Sequence, residues 1–305
     1  MTPTLTLPRS QTPEQERGSV DIWYWRFVLN IVVCVKQTPD TAATLTLKDG
    51  HVTWGDSPMI VNPWDEYAVE EALRLKEKHG GKVTVLFMGP ENAREALKTC
   101  LALGCDEAIL VSDPALKGSD ALATSYALSK AIAKIGDVDM VLTGRQAVDG
   151  DTGLVPAQIA RQLKWTALTY VSKIAELDPN AKTIRVERML DEGKQVCVGK
   201  LPAVVSVVKG INEPRYPSFM GIRRAGKITI PVWKAADLGL DAARIGLAGS
   251  AVTWPEIRMI PPRAISCQII TGDTPEEIAV KLVDKLMTEQ VIWPTSSSSH
   301  GHGYS

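Results

Sequence analysis

Four short apolar runs, Ile31–Val35, Val83–Phe87, Ala108–Val111 and Met140–Leu142, recur between Leu29 and Leu163, each followed by a helical pattern. All four are apolar at consecutive positions, as strands are when both faces of a parallel sheet are covered. The helices between them have legible ends. One begins near Asp65, turns Val69, Ala72 and Leu73 inward, pairs Glu70 with Arg74 and stops at Gly80-Gly81. Another opens after Pro90 and stops at Gly104, a third runs from about Ser119-Asp120 to Ile135, and a fourth follows the Asp149–Val155 turn. Repeated βα units predict a doubly wound, mostly parallel α/β sheet of Rossmann-like type, with ligands at the carboxyl ends of the strands.

From Ala167 to Val208 the pattern becomes strand after strand: Thr169–Lys173, Thr183–Glu187, Gln195–Gly199 and Ala203–Val208. The intervening Asp178-Pro179-Asn180 and Asp191-Glu192-Gly193 suit hairpins, so an antiparallel addition to the main sheet is expected. Beyond Gly210, Pro214, Pro217, Pro231, Pro255, Pro261 and Pro262 break the chain into pieces too short for a core of their own. One helix then stands out, capped by Thr274, with Pro275 first, Glu277 completing a capping box, and an apolar stripe of Ile278, Leu282, Val283 and Leu286. That stripe must be covered, and a partner subunit is the preferred cover over the chain's own domain.

Composition narrows the function. Lys plus Arg (34) nearly balances Asp plus Glu (35), so no overall field favours nucleic acid or an anionic membrane. Five cysteines, Cys34, Cys100, Cys105, Cys197 and Cys267, are an odd number without a CxxC pair, which fits a reducing cytoplasm and no structural metal. His51 and His79 are the histidines outside the terminal tail, and His79 reads as a helix-end cation. No GxGxxG follows the first strand, and GxxxxGK[ST], GxSxG and HExxH do not occur. A chain that binds a nucleotide with so few acid–base groups reads as a cofactor holder, with no catalytic residue of its own.

Three strand exits are candidates for that site. Gly144, Arg145, Gln146, Asp149, Gly150, Asp151, Thr152, Gly153, Leu154 and Val155 form a glycine-bearing turn ahead of a helix. Close backbone approach and free helix N–H groups there suit phosphate, Arg145 could add charge-assisted bonds, and Thr152 could cap the helix. Asn62, Pro63, Trp64 and Asp65 precede another helix; Asn62 could read a ring edge or ribose, and Asp65 is expected to cap. Phe87-Met88-Gly89-Pro90 makes the third exit. A plain loop with a helix cap explains the first equally well on motif grounds.

Taken in order, Cys34-Val35-Lys36-Gln37-Thr38-Pro39-Asp40-Thr41, Val61-Asn62-Pro63-Trp64-Asp65, Glu70-Glu71-Ala72-Leu73-Arg74, Met88-Gly89-Pro90, Gly144–Thr152, Lys200-Leu201-Pro202-Ala203-Val204 and Asn212-Glu213-Pro214-Arg215-Tyr216-Pro217 closely resemble the beta subunits of electron-transfer flavoproteins. The resemblance runs from about Leu29 to Leu240. It implies a heterodimer with an alpha subunit that carries a mobile FAD-binding domain. It also implies a second cofactor here: AMP in the ordinary type, FAD in the electron-bifurcating type. Carried over, the cofactor-binding positions are Cys34, Asn62 to Asp65, Met88 and the Gly144–Val155 stretch. Partner-binding positions are Arg215, Tyr216, Phe219 and Ile222, with Phe219 the anchor that meets acyl-CoA dehydrogenase-type or quinone oxidoreductase partners. Asp149–Thr152 and Asn212–Ser218 resemble the bifurcating type more closely, which implies FAD, with NADH as donor. At Gly153-Leu154-Val155-Pro156, where related sequences more often have Ala-Gln-Val-Gly, Leu154 removes a polar group from the phosphate turn and keeps AMP as the alternative. The expected organisation is an extension without fixed structure over 1–28, an α/β nucleotide-binding domain over 29–210 and a recognition loop over 211–226. A C-terminal arm over 227–294, with a helix wrapping the alpha subunit, and a tail over 295–305 complete it. A lone regulatory nucleotide-binding module and an ATP-consuming enzyme of related topology are the competing classes.

Overall fold

The computed structural model describes residues 28–254, 256–261 and 266–292. The proposed extension (but for Val28), with Trp23-Tyr24-Trp25, the tail with His300 and His302, and Pro255 and Pro262 lie outside the described residues.

In chain order the elements begin with β1 (Leu29–Val35), the short strands β2 (Gln37–Pro39), β3 (Thr46–Lys48), β4 (His51–Thr53) and β5 (Met59–Val61), and helix α1 (Pro63–His79). There follow β6 (Gly81–Met88), α2 (Arg94–Leu103), β7 (Glu107–Val111), α3 (Ala121–Ile135), β8 (Met140–Gly144) and α4 (Val155–Leu163). The remainder is β9 (Thr166–Asp178), β10 (Thr183–Leu190), β11 (Gly193–Lys200), β12 (Ala203–Val207), α5 (Phe219–Ala225), β13 (Val232–Trp233) and α6 (Pro275–Thr288).

Nine strands form one sheet in the order β11-β10-β9-β12-β8-β1-β6-β7-β13. Pairing is parallel throughout except at β9–β10 and β10–β11, so the expected mostly parallel sheet with an antiparallel hairpin is what the chain builds. Side chains alternate across it, as the two-residue strand period requires. From β1, Leu29, Ile31, Val33 and Val35 join the core under α1 and α2, while Val32 and Cys34 join the core under α3 and α4.

One expectation is corrected. Ala203–Val208 does not belong to the antiparallel addition: β12 lies between β8 and β9, parallel to both and buried at all five residues. Its Ala-Val-Val-Ser-Val sequence has the continuous apolar character of a strand covered on both faces, and that character outranks its position in the chain. The chain therefore leaves β1 toward β6 and β7 on one side and returns to β8 and β12 on the other. The strand order reverses between β1 and β8, which is where such a sheet opens a crevice at its carboxyl edge.

Past Gly210, the chain is more ordered than its prolines suggest. Ser218 caps α5 by accepting from Gly221 N–H at 3.0 Å. A Cβ on Gly221 would stand 2.1 Å from the Ala102 carbonyl oxygen, so only glycine lets α5 lie so close on α2. Arg224 then donates to the Leu101 and Cys105 carbonyls, both at 3.1 Å, at the end of α2.

Residues from 258 onward form a separate compact unit. Within it, Thr274 caps α6 by accepting from Glu277 N–H at 3.2 Å, and the Glu277 carboxylate accepts from Asp273 N–H at 2.9 Å. No residue of α6 is buried, and its Leu282 and Val283 are 45% and 46% exposed. Among the described residues no helix is long and apolar enough to cross a membrane.

Candidate functional site

The crevice between β1 and β8 is organised by the start of α1. Asn62 precedes the helix and Pro63 takes its first position, where the missing N–H costs nothing. Asp65 does not cap α1. Its carboxylate turns across the sheet edge and accepts Lys36 N–H, just past β1, at 2.8 Å and Gly144 N–H, at the end of β8, at 3.0 Å. Burial pushes the Asp65 carboxyl up to about 7, and the two N–H groups and the Lys36 charge hold it from going further. Cys34 stands beside it, buried, its thiol raised far above the usual range by burial and then by the Asp65 charge.

Asn62 works on the glycine-bearing turn. Its amide nitrogen donates to the Gln146 carbonyl at 2.9 Å and its amide oxygen accepts Val148 N–H at 3.1 Å. With its side chain so engaged, Asn62 shapes residues 146–148 where a ring-edge contact was expected. Gly144 is packed hard against the same segment: a Cβ there would lie 2.5 Å from the nearer Asp65 oxygen and 2.6 Å from the Trp64 backbone carbon. The Lys36 ammonium pairs with Asp149 at 2.7 Å, and Gln146 donates to Asp151.

Those contacts, with the Arg145 guanidinium 5.7 Å from the Trp64 ring centre, bring together Asn62, Trp64, Asp65, Gly144, Arg145, Gln146, Asp149 and Asp151. Met88 ends β6 on the same sheet edge and packs on the α3 side of the core. Thr152 does not cap α4: the helix begins after Leu154, whose side chain has no acceptor to offer, so the Val155 and Ala157 N–H groups of its first turn have no side-chain cap, and Pro156 between them has no N–H. The arrangement suits an anion. Asp149 and Asp151 already have donors, Arg145 makes no salt bridge among the described residues, and the start of α4 has no side-chain cap beyond the turn.

Sequence reasoning left out Lys36 and Tyr170, whose ring centre lies 5.0 Å from the Arg145 guanidinium. Lys36 could have been added from its place after β1. Tyr170 gave no signal, because its position depends on a bulge in β9 and on a left-handed backbone, φ 60°.

In the segment after Gly210, Asn212 donates to the Tyr67 carbonyl and to Glu71, both at 3.0 Å. Arg215 turns to α1 and grips Glu70 from Nε at 2.8 Å and Nη2 at 3.0 Å, with Nη1 on Glu77 at 2.5 Å. Beyond this clamp, Tyr216 is 94% exposed and Phe219 79%, with Met220 and Ile222 also outward.

Comparison with known proteins agrees with this architecture. The family described as "Electron transfer flavoprotein domain" matches residues 52–238. Protein FixA of Azotobacter vinelandii is 41% identical over 273 residues, 86% of this chain and 95% of that protein. The caffeyl-CoA reductase-Etf complex subunit CarD of Acetobacterium woodii is 41% identical over 266 residues, 87% of this chain and all of that one. An electron transfer flavoprotein subunit beta of Thermoanaerobacterium thermosaccharolyticum is 42% identical over 271 residues, again 87% of this chain and the whole of the relative.

Proposed function

The chain belongs to the beta-subunit family of electron transfer flavoproteins, and from that premise we propose that it forms a cytoplasmic heterodimer with an alpha subunit and holds FAD at the β1–β8 edge. In this reading it passes electrons between NADH or a dehydrogenase and a downstream acceptor, and it is of the electron-bifurcating type. Bound flavin supplies the redox chemistry; the chain's own residues bind and orient it. What carries the reading is the crevice itself. Asp65 and Asn62 fix the two strand exits and the 146–148 turn with four hydrogen bonds, which leaves Arg145 and the free start of α4 for an anionic ligand. Asp65, a buried carboxyl in the crevice, is engaged by two backbone N–H groups, as suits a holder more than an acid–base catalyst.

Tyr216, Phe219 and Ile222 then serve as the surface that meets redox partners of acyl-CoA dehydrogenase or quinone oxidoreductase type, with Arg215 fixing its position. A second reading keeps AMP in the site as a structural group. Leu154, exposed beside the phosphate turn and unable to hydrogen-bond, favours it. Co-expression with the alpha subunit and a flavin count tests the choice: two FAD per heterodimer support the bifurcating reading, and one FAD with one AMP replaces it.

A further inference from the structure

Far from the crevice, the sheet ends at β11, which pairs with β10 on one side and with no strand on the other among the described residues. Such an edge presents a row of unpaired N–H and C=O groups, a ready template for an added strand. Natural edges are often short or bulged, but β11 keeps unbroken register with β10 from Gly193 to Lys200. Alternation divides its side chains between two faces. Cys197 packs on the core side, where Ile184 and Val186 of β10 are buried. The outer face carries Lys194, Val196, Val198 and Lys200, all exposed, the two valines at 62% and 72%.

Charge on this outer face is matched as far as β10 and unmatched on β11. Val198 lies opposite Arg185 and Val196 opposite Glu187. Arg185 pairs with Glu176 at 2.7 Å and Glu187 with Lys173 at 3.5 Å, both on β9. Lys194 and Lys200 make no salt bridge among the described residues, so the row reads cation, valine, valine, cation at every second residue. Beside Val198 a hollow of about 450 Å³ opens between Leu177, Pro179 and Ile184.

A second copy of the chain fits this row poorly. Antiparallel pairing of β11 with itself about Cys197 sets Val196 against Val198, but it also sets Lys194 against Lys200 at both ends. Like charges directly opposite are destabilising. The same lysines attract carboxylates, so they turn a general template into a selective one. We propose that β11 is a docking edge for an extended segment of a partner protein, acidic at its two ends and apolar at the alternate positions between them. The row is symmetric, so the segment fits in either direction. Its backbone pairs with the free edge, and its apolar side chains cover Val196 and Val198, the one beside Val198 entering the hollow. Its carboxylates meet Lys194 and Lys200. This inference stands apart from the nucleotide-site reading above.

The test uses the full chain assembled with its alpha subunit and two labelled peptides, Glu-Thr-Val-Thr-Val-Thr-Glu and Lys-Thr-Val-Thr-Val-Thr-Lys, read by fluorescence anisotropy. The acid-ended peptide should bind about tenfold tighter or more, and added salt should narrow the gap. K194E with K200E should reverse the preference. V196T with V198T keeps the β-branched shape and both lysines, and should weaken the acid-ended peptide by about tenfold. Strand addition should also slow hydrogen exchange at the outward amides of residues 194–199. Equal binding of the two peptides, or binding of neither, overturns the docking edge. Acid-ended binding that leaves this exchange unchanged reduces the surface to a charged patch and overturns it too. So does slow exchange before any peptide is added, which shows that the alpha subunit already covers β11. Association of heterodimers that V196T with V198T abolishes would give the edge to a second copy instead, and likewise overturns the proposal. Should the glutamate variant fail to fold, the two peptides on the wild type decide.

Discussion

The Asp65 carboxylate accepts the backbone N–H of Gly144 at 3.0 Å, joining the first turn of α1 to the end of β8 at the point where strand order reverses. Because the same carboxylate also holds Lys36 N–H, one buried charge closes both strand exits and sets the floor of the crevice. In the proposed reading, a phosphate would lie away from that floor, toward Arg145 and the start of α4.

Burial raises the Asp65 carboxyl from 3.8 to about 7, so the folded protein holds this proton more tightly than the unfolded chain. Its ionisation therefore lowers stability as pH rises from about 4 to about 7, by on the order of 2–4 kcal/mol, and nothing further is lost above that range. Asp65→Asn removes the titration and weakens one of the two N–H contacts, a cost that does not vary with pH. Urea unfolding between about pH 5 and about pH 8 should show the wild type losing ground to Asp65→Asn as pH rises. A pH-independent gap between the two would show that Asp65 does not titrate in this window.

Gly144→Ala is expected to cost about 1–3 kcal/mol, because the added methyl meets the Trp64 backbone as well as the Asp65 side chain, and backbone cannot rotate away. Thermal unfolding gives the stability, and nucleotide retained on gel filtration of the heterodimer should fall with it. A variant as stable as wild type with its nucleotide intact would mean that α1 and β8 separate freely.

Much of this site was legible because its parts sit at strand ends, where glycine, proline and helix-opening residues mark the turns. Asn62-Pro63 and Gly144-Arg145 could be read that way. What each side chain does could not. Asp65 is an acceptable helix cap by sequence, and only the convergence of β1 and β8, distant in the chain, gives it two better donors. Thr152 lost its expected cap because α4 starts at Val155, three residues on. The place of β12 was legible in its unbroken apolar run, which fits a strand covered on both faces and outweighs the neighbouring hairpins that argue for antiparallel pairing. Tyr170 depends on a bulge, and no residue near it announces one.

The Arg215 clamp should be worth about 1–3 kcal/mol, since Glu70 is 4% exposed and would keep only Arg74 as a partner. Burial works against the Glu70 charge, but Arg215 and Arg74 outweigh it and hold the carboxyl below the usual range. Arg215→Met should therefore destabilise the chain and speed hydrogen exchange at residues 216–222, with bound nucleotide unchanged. Unaltered exchange in that loop would show that Asn212 and Arg224 hold it unaided.

The stripe on α6 gives a prediction about assembly. Leu282 and Val283 are roughly half exposed, and Ile278 lies on the same face one turn earlier, so the isolated chain should self-associate as its concentration rises. Leu282→Asp with Val283→Asp should give a monomer in sedimentation that no longer captures the alpha subunit, with the melting of the residue 28–257 unit unchanged. Normal capture by the double variant would place the alpha-subunit contact elsewhere.

Phe219 offers the sharpest separation of folding from partner contact. At 79% exposure its ring contributes little to the native state, so Phe219→Ala should change stability by no more than about 0.5 kcal/mol. As an anchor filling a partner's pocket, the same ring should be worth about 2 kcal/mol or more at the interface. Since each 1.4 kcal/mol is tenfold, the variant should raise the KM for the partner dehydrogenase by roughly thirtyfold. Phe219→Leu keeps an apolar group of useful size and should recover part of the loss, whereas a residue acting only through loop geometry would show no such grading. The kcat at saturating partner should change far less than KM, because the β1–β8 crevice and the Arg215 clamp are untouched. A KM equal to that of the wild type for every acyl-CoA dehydrogenase or quinone oxidoreductase that the protein reduces would remove Phe219 from the contact and leave Tyr216 and Ile222 as the remaining apolar candidates.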